Sequence, residues 1–118
     1  MNIRIQAKDF PLTPAIRSEV ANQVERALAR FDSRIVDVDV FLSDVNGPKG
    51  GPDKVCTLRV QLPNRTTVPI ETVEPDLYSA IRKSAARARR SVRRTLAKQQ
   101  RLKPKAIREF RYAEDALS

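Results

Sequence analysis

The spacing of apolar residues along this chain switches between two and three-to-four, and each switch marks an element. Ile3, Ile5 and Ala7 alternate with Arg4, Gln6 and Lys8, the pattern of a short half-buried strand. Thr13-Pro14 then offers a side-chain N-cap with proline at the first helical position, where a missing N–H costs nothing. Ile16, Val20, Val24, Ala27, Leu28 and Phe31 follow at steps of three and four, one stripe of a helix predicted to end near Asp32-Ser33. From Ile35 the period is two: Val36, Val38, Val40 and Leu42 face one side, Asp37 and Asp39 the other. Residues 43–54, SDVNGPKGGPDK, hold all three glycines and read as a long connection between strands. Cys56, Leu58, Val60 and Leu62 alternate with Thr57, Arg59 and Gln61 as a third strand, and Pro63-Asn64-Arg65 reads as a turn. Val68, Ile70 and Thr72 predict a fourth strand, placed at a sheet edge because Pro69 lacks a ladder donor. Asp76 is a suitable N-cap for a second helix from about Leu77 to Leu102, with Pro104 as the stop.

The order is therefore β-α-β-β-β-α. A helix between the first two strands implies a parallel pair, and the short later links imply an antiparallel meander. Each strand has one apolar face, so both helices are expected on the same side of a four-stranded sheet. This is an α+β two-layer sandwich, with residues 1–102 as its single domain. Residues 103–118 form a C-terminal tail that either docks or stays disordered.

Composition narrows the chemistry. Tryptophan is absent and Phe10, Phe31, Phe41, Phe110, Tyr78 and Tyr112 are the only aromatics, so Ile, Val, Leu and Ala must build the core. Cys56 stands alone and cannot form an internal disulfide. With no apolar leader at the amino terminus and no run of transmembrane length, a reduced, cytoplasmic protein is expected. Histidine is absent, removing the commonest general base and metal ligand. No phosphate-loop, dinucleotide or nucleophile-elbow pattern appears. The expectation is a protein that is not an enzyme and needs no cofactor, metal or small-molecule substrate.

Charge changes the picture most. Residues 1–76 carry 10 basic and 11 acidic side chains, whereas residues 77–118 carry 13 basic and 3 acidic; the chain's net +9 therefore resides in its last third. Between Leu77 and Arg108 there are twelve lysines and arginines and no carboxylate. On a helical wheel Leu77, Ile81, Ala85, Ala88, Val92 and Leu96 form the sheet-facing stripe. Opposite lies a ridge of Lys83, Arg87, Arg90, Arg94, Lys98 and Arg101, with Arg82, Arg89 and Arg93 as a second row beside it. Charged helix faces usually mix signs, because like charges three or four residues apart repel. A face of one sign on a near-neutral body points to a polyanion.

Arginine predominates, eight of the twelve, which suits bidentate phosphate contacts. A membrane surface is the weaker reading: the apolar stripe is thin at Ser84, Ala85 and Ala88 and is needed to cover the sheet. No Asn or Gln lies among the arginines before Gln99-Gln100, and aromatics for base stacking are few. The pattern favours RNA bound by shape, as double-stranded RNA-binding domains present a basic helix to phosphates. Arg26, Arg30 and Arg34, on and after the first helix, are candidates to extend the surface, although Glu25 and Asp32 sit close by.

The segments AIRSEVANQVERALARFDSRIVDVDVFLSD, from Ala15, and DLYSAI, from Asp76, resemble the bacterial ribosome hibernation-promoting factor family, which includes the ribosome-associated inhibitor protein Y. The resemblance spans roughly residues 1–100 and is to a divergent short form. It implies the same element order, binding to the rRNA of the small ribosomal subunit near the decoding centre, and blockage of translation by occlusion in stress. Family basic positions in the second helix correspond to Arg87, Arg90, Arg94 and Lys98. Arg82, Lys83, Ser84 and Ala85 depart from the family pattern, and the last two imply a closer approach of helix and sheet. The loop LSDVNGPKGGPDKVC is longer and richer in glycine than in well-known members. A monomer is expected. The alternative is a regulatory module docking its basic helix on an acidic protein partner, in keeping with the family's association with a sigma factor.

The remaining candidates are minor. Asp44, Asn46, Asp53 and Cys56 fit no calcium-loop or zinc spacing and read as part of a hairpin connection. Gly50-Gly51 with Lys49 and Lys54 is a candidate backbone nest for a phosphate. Cys56 reads as a small core residue and Tyr78 as packing beside the helix start, with base stacking as its other use. In the tail, Ile107, Phe110 and Tyr112 are candidates to dock on the body or a partner.

Overall fold

The computed structural model describes residues 1–45 and 53–117, with the backbone alone from 101 onward. Strand β1 (Asn2–Lys8) leads into helix α1 (Pro14–Leu28), which is followed by β2 (Asp37–Asp44), β3 (Lys54–Leu62), β4 (Thr66–Glu74) and α2 (Leu77–Leu117). The sheet order is β1-β2-β3-β4. β1 and β2 are parallel, with Ile3 opposite Val38 and Ile5 opposite Val40. The other two pairs are antiparallel, in registers that set Val40 beside Leu58 and Leu58 beside Ile70. This is the α+β sandwich expected from the alternation, and β4 lies at an edge, where Pro69 opposite Arg59 can turn its donor-free side to solvent.

One face of the sheet is dry. Val38, Val40, Leu42, Cys56, Leu58, Val60, Leu62, Val68 and Ile70 are buried together with Val20, Val24 and Leu28 of α1 and with Ala80, Ile81, Ala88, Val92 and Leu96 of α2. The period-two pattern forces this, since alternate strand side chains point to opposite faces and only one face is apolar. Burial of these side chains, at about 1.5–3 kcal/mol for each large one, dominates the driving force for folding. Ser84 and, on β4, Thr72 are polar residues buried in this layer, Ser84 the more deeply. Ser84 is fully buried and donates to the Cys56 carbonyl at 3.2 Å. A serine hydroxyl reaching a strand carbonyl brings α2 close against β3, and Ala85 and Ala88 on either side permit that approach.

Local chemistry sets the element ends. Thr13 Oγ1 accepts from the Ile16 amide at 3.2 Å, and Pro14 opens α1. Asp76 Oδ2 accepts from the Ser79 amide at 2.9 Å and its carbonyl from the Ala80 amide at 3.0 Å, so Asp76 caps α2. The β3–β4 turn places Asn64 and Arg65 at φ of 66° and 60°, a region asparagine enters readily and arginine at some cost.

Three boundaries differ from the pattern. The α-helix of α1 ends at Leu28, and Ala29–Arg34 continue as a 3-10 helix whose end is fixed by the Ile35 amide bonding the Asp32 carbonyl. Phe31 keeps its core contact through this tighter turn, which is why the apolar stripe reads past the α-helix. Val36 precedes β2 and is exposed, its amide bonding the Gln61 carbonyl at 2.8 Å at the end of the ladder. Finally, α2 does not stop near Leu102 but runs through Pro104 to Leu117. A proline removes one intrahelical bond, and residues 105–117, KAIREFRYAEDAL, are rich in helix-forming residues on its far side.

Candidate nucleic-acid interface

The site is built on α2 between its cap at Asp76 and Gln100. Ala80, Ile81, Ser84, Ala85, Ala88, Val92 and Leu96 are buried, which orients every basic residue of the segment outward. Arg82, Lys83, Arg87, Arg89, Arg90, Arg93, Arg94 and Lys98 are all exposed, so the ridge and second row of the wheel exist as a continuous cationic face. From Lys83 to Lys98 it runs about 22 Å. The side chain of Arg101, the last ridge position, lies outside the described residues, as do those of Ile107, Phe110 and Tyr112.

The two flanks of this face have different neighbours. α1 follows β1 and α2 follows β4, and both strands point the same way, so the helices run parallel side by side. On the α1 flank, Arg82, Arg89, Arg90 and Arg93 join Arg26 and Gln23 of α1 around a groove of about 650 Å3, floored by Ala27, Ala85 and Ala86. No carboxylate of the described residues lines it. None of its five arginines has an acid partner among the described residues. Glu19 instead accepts from the Gln23 amide at 3.0 Å, which fixes that side chain at the groove's edge.

The opposite flank overhangs the β4 edge. Lys83 pairs with Glu74. The Arg87 guanidinium donates to the Glu71 carbonyl and, at 3.0 Å, to the Thr72 hydroxyl. Two of the six ridge positions are thus tied down within the protein, while Arg94 and Lys98 further along are not. Gln99, beyond them, donates to the Thr66 hydroxyl at 3.1 Å and anchors the helix over the β3–β4 turn. The groove is the feature that a helical wheel does not reveal: a wheel assigns angles, not which neighbouring element each flank meets. Its signal in the sequence was the facing small residues Ala27, Ala85 and Ala86. Gln23 has no such signal in the sequence.

Of the α1 candidates, Arg26 belongs to the groove, whereas Arg30 lies exposed on the 3-10 helix and Arg34 is half-buried at its end. Tyr78 is 37 % exposed beside the helix start. The open face of the sheet is electrically mixed. Arg4 makes a two-pronged bond to Asp39 at 2.7 and 3.2 Å and lies 3.7 Å from Asp37, and these carboxylates raise its pKa. Phe41, Thr57, Arg59 and Glu71 complete a shallow cavity of about 560 Å3 there.

The hairpin connection is closed by charge. Lys54 bonds Asp44 at 2.8 Å and the buried Asp53 at 3.3 Å, and these hydrogen bonds raise its pKa. An ammonium group therefore stands where the metal reading would need a cation, and no cluster of three metal-ligating side chains occurs among the described residues. The candidate phosphate nest at Lys49, Gly50 and Gly51, like Asn46, lies outside the described residues. Cys56 is buried, and desolvation pushes its thiol up to about 11. No described helix is long and apolar enough to cross a membrane.

Comparison with known proteins agrees with this architecture. A ribosomal subunit interface protein from Coxiella burnetii superposes with a TM-score of 0.71 at 18% identity, over 82% of this chain and 99% of that one. The N-terminal domain of Thermus thermophilus Protein Y superposes with a TM-score of 0.68 at 29% identity, over 80% of this chain and 99% of the other. No curated protein matches the sequence. The family model described as sigma 54 modulation protein / S30EA ribosomal protein matches residues 3–100, the whole sandwich with the capped, arginine-bearing part of α2. The chain belongs to that family.

Proposed function

We propose that this protein binds the small ribosomal subunit through the outer face of α2 and silences translation by occlusion. The observation that carries the proposal is the acid-free cationic face, Arg82 to Lys98, on a family fold whose solved relatives include a ribosomal subunit interface protein. The α1–α2 groove supplies guanidinium groups that no acid of the described residues engages and that can bond phosphates. Arg94 and Lys98 extend the contact along the helix, and Arg30 and Arg101 would lengthen it at either side. Lys83 and Arg87 contribute less, because binding RNA through them means giving up partners on β4.

In this reading phosphate contacts supply affinity, and the shape of a rigid two-helix surface selects A-form rRNA near the decoding centre. A bound sandwich would then fill the path of messenger and transfer RNA. Residues 1–102 form the ribosome-binding unit and 103–118 an appendage to it. The protein acts as a monomer in the cytoplasm, by binding and without catalysis. Sedimentation with purified 30S subunits tests the proposal, with RNase-treated lysate as its companion. Binding to 30S subunits that falls steeply with salt supports it. Failure to sediment with 30S at low salt, or a complex with an acidic protein that survives RNase, would overturn it.

A further inference from the structure

We propose that the α1–α2 groove is also a site for a free polyphosphate chain, two or more linked phosphoryl groups, and that such an anion competes with the ribosome. The site stands on the groove alone; only the competition rests on the proposed ribosome binding.

Five guanidinium groups, from Arg26, Arg82, Arg89, Arg90 and Arg93, line one concavity of about 650 Å3, a volume within the range of small-molecule sites. Phosphate oxygens are the natural partners of such planar, permanently charged donors. The lining contains no carboxylate to neutralise them, and no acid of the described residues reaches in from outside. Some cations elsewhere in the molecule are neutralised. Arg4 is answered by Asp39, Lys54 by Asp44 and Asp53, and Lys83 by Glu74. Arg94 and Lys98 also lack an acid partner among the described residues, but only in the groove do five guanidinium groups line one concavity among the described residues.

Its shape selects among anions. Arg82 and Arg93 are eleven residues apart on one helix, a rise of about 16 Å, with Arg89 between them. A single orthophosphate cannot engage that length, whereas a chain of phosphates can meet several guanidinium groups in turn. The floor of Ala27, Ala85 and Ala86 keeps the groove open, since larger side chains there would fill it. Gln23, whose amide nitrogen is held by Glu19, adds an uncharged polar group to the lining.

Calorimetric titration of the intact protein with inorganic tripolyphosphate, at physiological ionic strength, tests the site. Saturable binding of one tripolyphosphate per chain is expected, with orthophosphate at least about tenfold weaker. ATP as a second probe tells whether the chain is recognised bare or as part of a nucleotide. The double variant Arg89→Ala/Arg93→Ala should bind tripolyphosphate about tenfold more weakly or worse. The charge-matched variant Lys8→Ala/Arg59→Ala, on the opposite sheet face, should stay within about twofold of the parent. Circular dichroism confirms that both remain folded. Equal losses in the two variants, or equal affinity for orthophosphate, would reduce the effect to bulk charge and overturn the site. Tripolyphosphate that binds but displaces the protein from 30S subunits no better than sulfate of equal ionic strength overturns the competition alone. Absence of 30S binding with tripolyphosphate binding intact overturns the proposed function and leaves the site standing.

Discussion

Replacing Ala86 by glutamate should make the free protein more stable and a poorer ligand for RNA. Ala86 is exposed on α2 and lies in the groove floor, four residues after Arg82 and three and four before Arg89 and Arg90. A carboxylate there gains three favourable helix pairs, each worth about 0.2–0.5 kcal/mol. It also relieves part of a repulsive field: Lys83/Arg87, Arg87/Arg90, Arg89/Arg93, Arg90/Arg93, Arg90/Arg94 and Arg94/Lys98 are all like-charge pairs at helical spacing. Against this stands the lower helix propensity of Glu relative to Ala, a few tenths of a kcal/mol. The net gain is about 0.5–1 kcal/mol, a rise in Tm of roughly 2–5 °C for a domain of this size. Urea unfolding at low salt is the assay, read as a shift in midpoint with an unchanged slope. At high salt most of the gain should vanish, because the Debye length falls to about 3 Å at 1 M. The same substitution puts an anion among the arginines proposed to bind phosphate and should weaken ribosome binding at least about tenfold. A destabilised Ala86→Glu protein, or a gain that persists at 1 M salt, would refute the claim that the face carries unrelieved repulsion.

Further expectations concern the core, the cap and the ridge. Ser84→Leu should cost about 1–3 kcal/mol in urea unfolding, since helix and sheet are too close at Cys56 for a larger side chain. Asp76→Ala should cost about 1 kcal/mol and Asp76→Asn much less, both read from urea midpoints, because the second keeps a cap acceptor for the Ser79 amide. Cys56 should resist alkylation at pH 8 until denaturant opens the fold. Its thiol pKa is raised in the folded state, so its contribution to stability is full below the unfolded value of 9.0 and is lost as pH rises toward about 11. A Cys56→Ala variant should show a flatter pH–stability curve over that window. Arg87→Ala should weaken ribosome binding less than Arg90→Ala in parallel co-sedimentation, because Arg87 is already bonded to the β4 edge.

Much of this fold is legible from local pattern because its elements are amphipathic in the simplest way. Val38 to Leu42 and Cys56 to Leu62 alternate cleanly, Asp76 is a cap residue followed by helix formers, and Pro69 can only sit at an edge. Pattern misleads where a local rule is weaker than its context. Phe31 continues the helical stripe although the backbone has tightened to 3-10 geometry, and α2 continues past Pro104 even though proline loses a helix bond and crowds the preceding turn. The binding face divides in the same way. Burial of Ile81, Ala88 and Val92 dictates which residues of α2 point outward, and the sequence shows that directly. The fates of Lys83 and Arg87 depend on Glu74, Glu71 and Thr72, which register and packing bring beneath them. The pairing of Arg26 with Arg82, Arg89 and Arg93 depends on α1 lying parallel beside α2. The burial of Asp53 with Lys54 likewise needs the sheet to exist first.

The most direct test of the central claim is co-sedimentation with 30S subunits between 50 and 200 mM salt, comparing the parent with Arg89→Ala/Arg90→Ala/Arg93→Ala. If those arginines each hold a phosphate, each contributes about 0.9 to the slope of log affinity against log salt, or roughly 3.5-fold over that range. The account predicts that the triple variant binds more weakly at 50 mM and loses about 40-fold less affinity across the series than the parent. Parent-like affinity and an unchanged salt slope in the triple variant would contradict it.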